Sequence, residues 1–340
     1  MKTLLLALLT TFILTANAQT DSTALTSSLK FSGYLETYYS YDFGNPSNNT
    51  RPGFVYSHNR HNEVSLNLGF IKAAYEKNNV RANLALMTGS YANANLAAES
   101  GVLKNIYEAN IGFESAIGKD CWNLTRSILA DNSPYYESGA KISYSSDNGQ
   151  LFLSGLFLNG WQRIQRVDGN TSPAFGHQLT YKPSSKITLN SSSFVGTDTP
   201  DSTKRMRYFH NFYSIFQLNE RLGLILGFDT GWQQKAKASS EYNTWYSPVI
   251  ILKYSPGGKV NVAVRGEYYS DKNQVIIVIG TPNGFQTWGY SANLDYNISD
   301  NLMWRIEARG LQNKDQSFVN RENNSSSQNH FMTTALALSF

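Results

Sequence analysis

The sequence predicts an all-β chain that crosses a membrane as an antiparallel up-and-down β-barrel of about sixteen strands, with fourteen as the alternative. Three observations carry this. First, the last eleven residues, His330 to Phe340, alternate strictly: Met332, Thr334, Leu336, Leu338 and Phe340 share one parity, Thr333, Ala335, Ala337 and Ser339 the other. A strand reads this way when one face meets lipid and the other a polar lumen. Second, the amino end has the grammar of an export signal. Third, turn-rich connections fall into a short and a long class that alternate along the chain.

At the amino end, Lys2 supplies the positive charge, Leu4 to Leu14 is apolar but for Thr10 and Thr11, and Ala16-Asn17-Ala18 fits cleavage before Gln19. Residues 1–18 therefore read as a signal peptide and 19–340 as one barrel domain. The apolar run is too short for a membrane anchor, which needs about 20 residues. No later run reaches that length, so a membrane protein made from this chain must close as a barrel, the other structure that satisfies every backbone group in lipid.

Alternation starts near Phe31 and recurs without a compositional break. The short connections are Lys77 to Asn79, Asp147 to Gly149, Lys182 to Ser185, Asn219-Glu220, Ser255 to Gly258 and Ser299 to Asn301, all rich in turn formers. The long ones are Phe43 to His61, Ala92 to Val102, Cys121 to Tyr135, Trp161 to Ala174, Gly196 to Lys204, Gln233 to Tyr242, Asp271 to Gly284 and Gln312 to Gln328. This is the wiring of tight periplasmic turns and extended outer loops, with both termini on the periplasmic side. The late strands are clearest: Val260, Val262, Val264 and Tyr268 alternate with Asn261, Ala263, Arg265 and Glu267, and two further charged alternations follow at Tyr290–Ile298 and Leu302–Arg309. One element falls short. After a strand over Lys104 to Glu114, only Ser115 to Asp120 remain for a turn and a fifth strand; either that strand is displaced into Trp122 to Ala130 or the barrel departs from sixteen.

Composition agrees. Tyr 21, Phe 18 and Trp 6 are many for 340 residues, as interfacial girdles require. Charged residues are 16%, below the roughly 25% of soluble domains. A net charge of +4 with scattered basic residues does not suggest nucleic acid. Cys121 is the one cysteine, so no intramolecular disulfide forms.

The segments Gly33 to Asp42, Arg60 to Tyr75 with Val80 to Asn83, and Ile111 to Tyr144 resemble those of Bacteroidetes-type outer-membrane porins, the β-barrel porin-2 family, OmpL-like. The resemblance spans the mature chain in layout and is specific over its first part. It implies a passive channel in the cell outer membrane, reached by Sec export, with its wall against membrane lipid and lipopolysaccharide and a terminal Phe340 read by the barrel-assembly machinery. It also implies a longer stretch between Asn110 and Ile111 than this chain has. A homo-oligomer is compatible with it.

Parity assigns the lumen-facing charges: Glu36, Arg81, Glu108, Asp229, Arg265, Glu267, Asp295, Arg305, Glu307 and Arg309. Facing rows of Arg and Glu set a transverse field across a narrow pore, or pair with one another and stiffen the wall. Six acids against four arginines predict weak ion selectivity. The third long loop carries Lys119, Asp120, Arg126, Asp131 and Glu137 around Trp122 and Tyr135-Tyr136, the candidate constriction. His58, His61 and Glu63 have ligand chemistry but sit where solvent is expected, so no metal is assigned. An outer-membrane hydrolase would need a serine beside a histidine on the outer wall. His210 and His330 lie in strands without a serine or carboxylate partner in any motif, and SPGGK at Ser255–Lys259 is too short for a phosphate loop. No catalytic residue and no cofactor is assigned. The leading expectation is a water-filled channel for small hydrophilic solutes; the alternative is a non-conducting barrel whose outer loops bind a partner or surface ligand.

Overall fold

Strict alternation over more than a dozen segments forces each into an extended strand, because only a period of two keeps lipid-facing and inward-facing side chains apart. The computed structural model describes residues 29–77, 80–110, 121–134, 136–319 and 324–339. Its strands are β1 (Leu29–Asp42), β2 (Val64–Lys77), β3 (Val80–Thr88), β4 (Ile106–Asn110), β5 (Gly139–Ser145), β6 (Leu151–Leu158), β7 (Ala174–Ser184), β8 (Ile187–Gly196), β9 (Arg207–Gln217), β10 (Leu222–Gln234), β11 (Tyr242–Gly257), β12 (Val260–Asp271), β13 (Phe285–Ser299), β14 (Leu302–Asn313), β15 (Phe318–Val319), β16 (Ser325–Ser326) and β17 (Gln328–Ser339). Two short helices, α1 (Ser90–Asn95) and α2 (Ile128–Asp131), lie in long connections.

One antiparallel sheet of 15 strands runs β4-β3-β2-β1-β17-β14-β13-β12-β11-β10-β9-β8-β7-β6-β5, while β15 and β16 form a small separate hairpin. The carboxyl-terminal strand meets the first one, with Tyr38 opposite Ala335 and Asp42 opposite Phe331. Each short connection links neighbours in the sheet, as the two-class wiring requires. Among the described residues the sheet is open between β4 and β5. Both edges run from the long-loop end toward the short-turn end, so an all-antiparallel closure takes one more strand and an even total. Residues 111–120, and with them Ser115 to Asp120, where too few residues remain for the expected turn and fifth strand, lie outside the described residues.

The outward rows are apolar and exposed, as at Leu84, Leu86, Phe175, Phe228, Val264, Trp288 and Leu336. The inward rows carry the buried Glu36, Asp229, Arg265, Glu267, Asp295, Arg305, Glu307 and Arg309. A second population of inward residues is apolar. Phe194, Phe209, Trp245, Tyr269, Phe285, Leu311 and Phe331, each near the long-loop end of its strand, pack with Phe54, Ile128, Trp161, Ile277 and Phe318 from the connections. Phe54 meets Phe285 with ring centroids 4.6 Å apart, and Trp161 meets Phe209 at 4.9 Å. The outer half of the barrel thus holds an apolar plate, and the connections that build it are folded inward.

Two expectations change. The strand expected from Lys104 begins at Ile106, preceded by a 3₁₀ turn over Gly101–Asn105. Trp122 to Ala130 is not a displaced strand: bends lead into α2, without ladder pairing. The physical reason is that its backbone groups find side-chain partners on the far wall, so the requirement that buried N–H and C=O groups be paired is met without a sheet neighbour.

Candidate functional site: a segment bonded across the lumen

The polar wall is built by β12, β13 and β14, whose register places Arg265 opposite Ser291, Ser291 opposite Arg309, and Asp295 opposite Arg305. Inward alternation then stacks three arginines and three carboxylates in one patch. Arg265 Nε lies 3.2 Å from Glu267 Oε1, Arg265 Nη2 donates to Glu307 Oε1 at 3.1 Å, and Arg309 Nη2 donates to Glu267 Oε1 at 2.6 Å. Arg305 grips Asp295 with Nε at 2.7 Å and Nη2 at 3.0 Å. All six side chains are almost wholly buried. Buried charge at this density requires full pairing, since removing one partner leaves an uncompensated ion.

What buries them is the segment 121–132. Arg265 Nη1 donates to the carbonyl of Thr125 at 2.7 Å, Arg309 Nη1 to that of Arg126 at 2.7 Å, and Arg305 Nη2 to that of Cys121 at 2.7 Å. In return the amides of Thr125 and Ile128 donate to Glu307 Oε2 at 2.5 Å and Glu267 Oε2 at 2.6 Å, and that of Leu124 donates to Asn293 Oδ1 at 3.0 Å. Ser127 caps α2, its hydroxyl accepting from the amide of Ala130 at 3.1 Å. The wall therefore serves as a template of donors and acceptors for a stretch of irregular backbone. Lys253 adds a cation over the Trp122 ring, 4.7 Å from its centroid.

A parallel arrangement holds the first long connection. Glu36 on β1 accepts from Tyr34, from Asn67 Nδ2 at 2.8 Å, and pairs with His58 Nε2 at 2.6 Å. Arg51 of the same connection lies 3.3 Å above the Phe331 ring and donates to the carbonyl of His58 at 3.1 Å. His61 Nδ1 accepts from the amide of Asp42 at 2.8 Å, and Glu63 pairs with Arg60 at 2.6 Å. The three residues with metal-ligand chemistry are thus engaged separately, and no cluster of three ligating side chains occurs among the described residues.

Two cavities flank the crossing segment. One, of about 410 Å³ on its outer side, is lined by Asp131, Arg163, Asp198, Arg205, Arg207 and Gln233, with Tyr56 and Trp161. Arg207 Nη1 lies 3.4 Å from Asp198 Oδ2. Burial pushes the Asp198 carboxyl up from its ordinary value, against the pull of Arg207. The other cavity, of about 480 Å³, lies between the segment and the wall of β6 to β11, lined by Leu129, Glu137, Gln178, Asn211, Tyr213 and Ile251 among others.

Of the sequence-derived candidates, Arg265, Glu267, Asp295, Arg305, Glu307 and Arg309 form the template, while Glu36, Glu108 and Asp229 sit apart. Glu108 pairs with Lys72 at 2.9 Å, and Asp229 accepts from Asn211 Nδ2 at 2.5 Å. Of the loop candidates, Asp131 is buried at α2, Arg126 lies 5.1 Å from the Tyr91 ring, and Glu137 borders the larger cavity. Lys119, Asp120 and the side chain of Arg81 lie outside what the structure describes. Missed in the sequence were Thr125, Asn293, Arg51 and His58 as wall-to-loop ties. Their partners are fixed by inward folding, for which alternation carries no signal.

The family model described as Putative beta-barrel porin-2, OmpL-like, matches residues 28–112 and 110–340. No curated protein matches the chain. Among solved structures, the fold is similar to an anion-selective porin from Comamonas acidovorans (TM-score 0.59, 10% identity, covering 92% of this chain and 99% of that one). It is also similar to the outer membrane channel DcaP of Acinetobacter baumannii (0.59, 8% identity, 92% and 97%). A third is OmpT, an outer membrane protein of Vibrio cholerae, in its trimer form (0.57, 8% identity, 92% and 99%).

Proposed function

This chain belongs to the Putative beta-barrel porin-2, OmpL-like family, and from that premise we propose a narrow, passive channel whose constriction is the segment 121–134. It is an outer-membrane β-barrel for small solutes. The proposed path runs past the outer cavity and then between the segment and the wall of β6 to β11. The observation that supports this is the one-sided tether: every carboxylate and guanidinium of the β12–β14 patch is spent on the segment or on each other, which leaves open volume on the opposite side. Cavities of a few hundred Å³ suit solutes of monosaccharide or amino-acid size. Diffusion needs no cofactor and no chemical step. Association with copies of itself is part of this reading, as in the relative titled a trimer form.

Single-channel recording of the refolded protein in a planar bilayer tests it. Discrete openings that carry current in proportion to salt support the channel path; current no different from protein-free bilayers refutes it. The apolar plate favours one second reading, a barrel whose loops have closed the lumen and bind a partner at the cell surface. The same recording separates the two.

A further inference from the structure

The outward face of the barrel is largely apolar; beside isolated polar pairs such as Tyr290 with His330 and Trp304 with Thr334, it carries one longer polar row. His177 on β7, Ser193 on β8, His210 on β9 and Thr230 on β10 stand directly opposite one another in register, and Ser191 lies one outward position nearer the short turns. All share the parity of Phe175, Leu189, Phe212 and Trp232, which are exposed to lipid. They are joined side chain to side chain. Ser193 Oγ is 2.6 Å from His177 Nδ1, His177 Nε2 is 3.1 Å from Ser191 Oγ, and Ser191 Oγ is 3.2 Å from His210 Nε2.

The far end fixes the direction of the protons. His210 Nδ1 is sealed from solvent and has no hydrogen-bond partner. A buried N–H without an acceptor is the costlier orphan, so the ring carries its proton on Nε2. His210 Nε2–H then donates to Ser191, the Ser191 hydroxyl donates to His177 Nε2, and His177 Nδ1–H donates to Ser193 Oγ. Every proton in the chain is placed except the last, and the Ser193 O–H is left as a free donor facing lipid. The opposite order, with Ser193 donating to His177 as a nucleophile would, strands a buried proton on His210. It also lacks an oxyanion donor, because the neighbouring strand amides are committed to the ladder.

Depth indicates what the donor meets. Phe175, Tyr208 and Trp232 form the next outward positions toward the long loops, and such aromatics sit at headgroup level. Two residues along a strand are about 6.6 Å, or about 5 Å of depth at the usual tilt, which is the level of acyl carbonyls. Above the row, the Lys204 and Lys237 ammonium groups reach only the Ser172 hydroxyl at 2.8 Å and the Asp201 carbonyl at 2.7 Å. Both ammonium groups also help hold the Asp201 carboxyl below its ordinary value, the largest pull being its hydrogen bond from Thr171.

We propose that this outer-wall row is a binding site for a phosphorylated, acylated glycolipid of the outer leaflet, with Ser193 donating to an acyl carbonyl and Lys204 and Lys237 facing the phosphate. The site lies outside the pore and does not depend on conduction.

The full-length mature protein, purified in detergent, is incubated separately with lipopolysaccharide, diacyl phosphatidylethanolamine and its dialkyl ether analogue, and retained lipid is read by native mass spectrometry. Lipopolysaccharide is expected to be retained over both others. Ser193→Ala should lower retention about fivefold, and Lys204→Ala with Lys237→Ala by a similar factor, while heat-modifiable migration reports that each variant is folded. His177→Phe, which fills the wall without a donor, should match Ser193→Ala. Equal retention by wild type and folded variants overturns the site, and retention of the ether lipid equal to the ester overturns the carbonyl contact. Retention of diacyl phosphatidylethanolamine equal to lipopolysaccharide overturns the glycolipid. Ser193-dependent release of fatty acid overturns the proton direction, and loss of oligomers at constant lipid overturns the occupant in favour of a second copy.

Discussion

Replacing Glu307 by alanine should release the segment that crosses the lumen. Glu307 Oε2 accepts from the amide of Thr125 at 2.5 Å and Oε1 from Arg265 Nη2 at 3.1 Å, both in a site closed to water. Hydrogen bonds to a charged group contribute about 1.5–3 kcal/mol each, and breaking a buried pair by removing one partner costs about 3–5 kcal/mol. Part of that loss falls on local opening, since the β12–β14 ladder itself is untouched. The opening equilibrium of 121–132 should therefore shift by about a hundredfold to a thousandfold, at about 1.4 kcal/mol per factor of ten. Amide exchange over peptides spanning 121–132 reads this shift directly, and single-channel conductance should rise as the constriction loosens. Glu307→Gln keeps an acceptor for Thr125 and should move exchange by about tenfold instead. Unchanged exchange in Glu307→Ala would refute the template argument. Faster exchange with unchanged conductance would instead remove 121–134 as the constriction.

Three further outcomes follow from other parts of the molecule. Arg163 and Arg205 border the outer cavity, so Arg163→Ala with Arg205→Ala should shift the reversal potential in a salt gradient toward cations, with conductance retained. Gly231 leaves no room for a side chain, because a Cβ there would lie 2.1 Å from the Trp245 indole. Gly231→Val should accordingly lower the temperature of the heat-modifiable transition, while Gly53→Ala, with nothing within 4 Å of its Cβ and no left-handed backbone, should leave it unchanged. The exported protein should begin at Gln19, which intact-mass measurement checks, and an uncleaved mass would remove the signal-peptide reading.

The strands from β11 onward were legible because each face meets one solvent along its whole length, so parity alone sorts Val262, Val264 and Tyr290 from Arg265, Asp295 and Glu307. The seam between the last strand and the first was legible for the same reason. The segment that crosses the lumen was legible only as a loop. Its ties run from Thr125 to Arg265, 140 positions away, and from Cys121 to Arg305, 184 away, and no local pattern encodes a backbone carbonyl meeting a distant guanidinium. The outer-wall row escaped for a different reason. His177 and Ser193 break an apolar parity one residue at a time, and only the register of three neighbouring strands turns these isolated exceptions into a connected row.

The template also changes what the wall charges do electrically. A transverse field needs opposed rows facing one another across water. Arg265, Arg305 and Arg309 instead face Glu267, Asp295 and Glu307 within the same patch, equal in number and at hydrogen-bond distance, so their fields cancel over a few ångströms. A solute on the other side of the segment meets Arg163, Arg205 and Arg207 with Asp198 above, and Glu137 below. In this reading the wall holds the constriction in shape, and the loops set charge preference. Sequence variation in the long connections can then alter which solutes pass without disturbing the buried network that positions the segment.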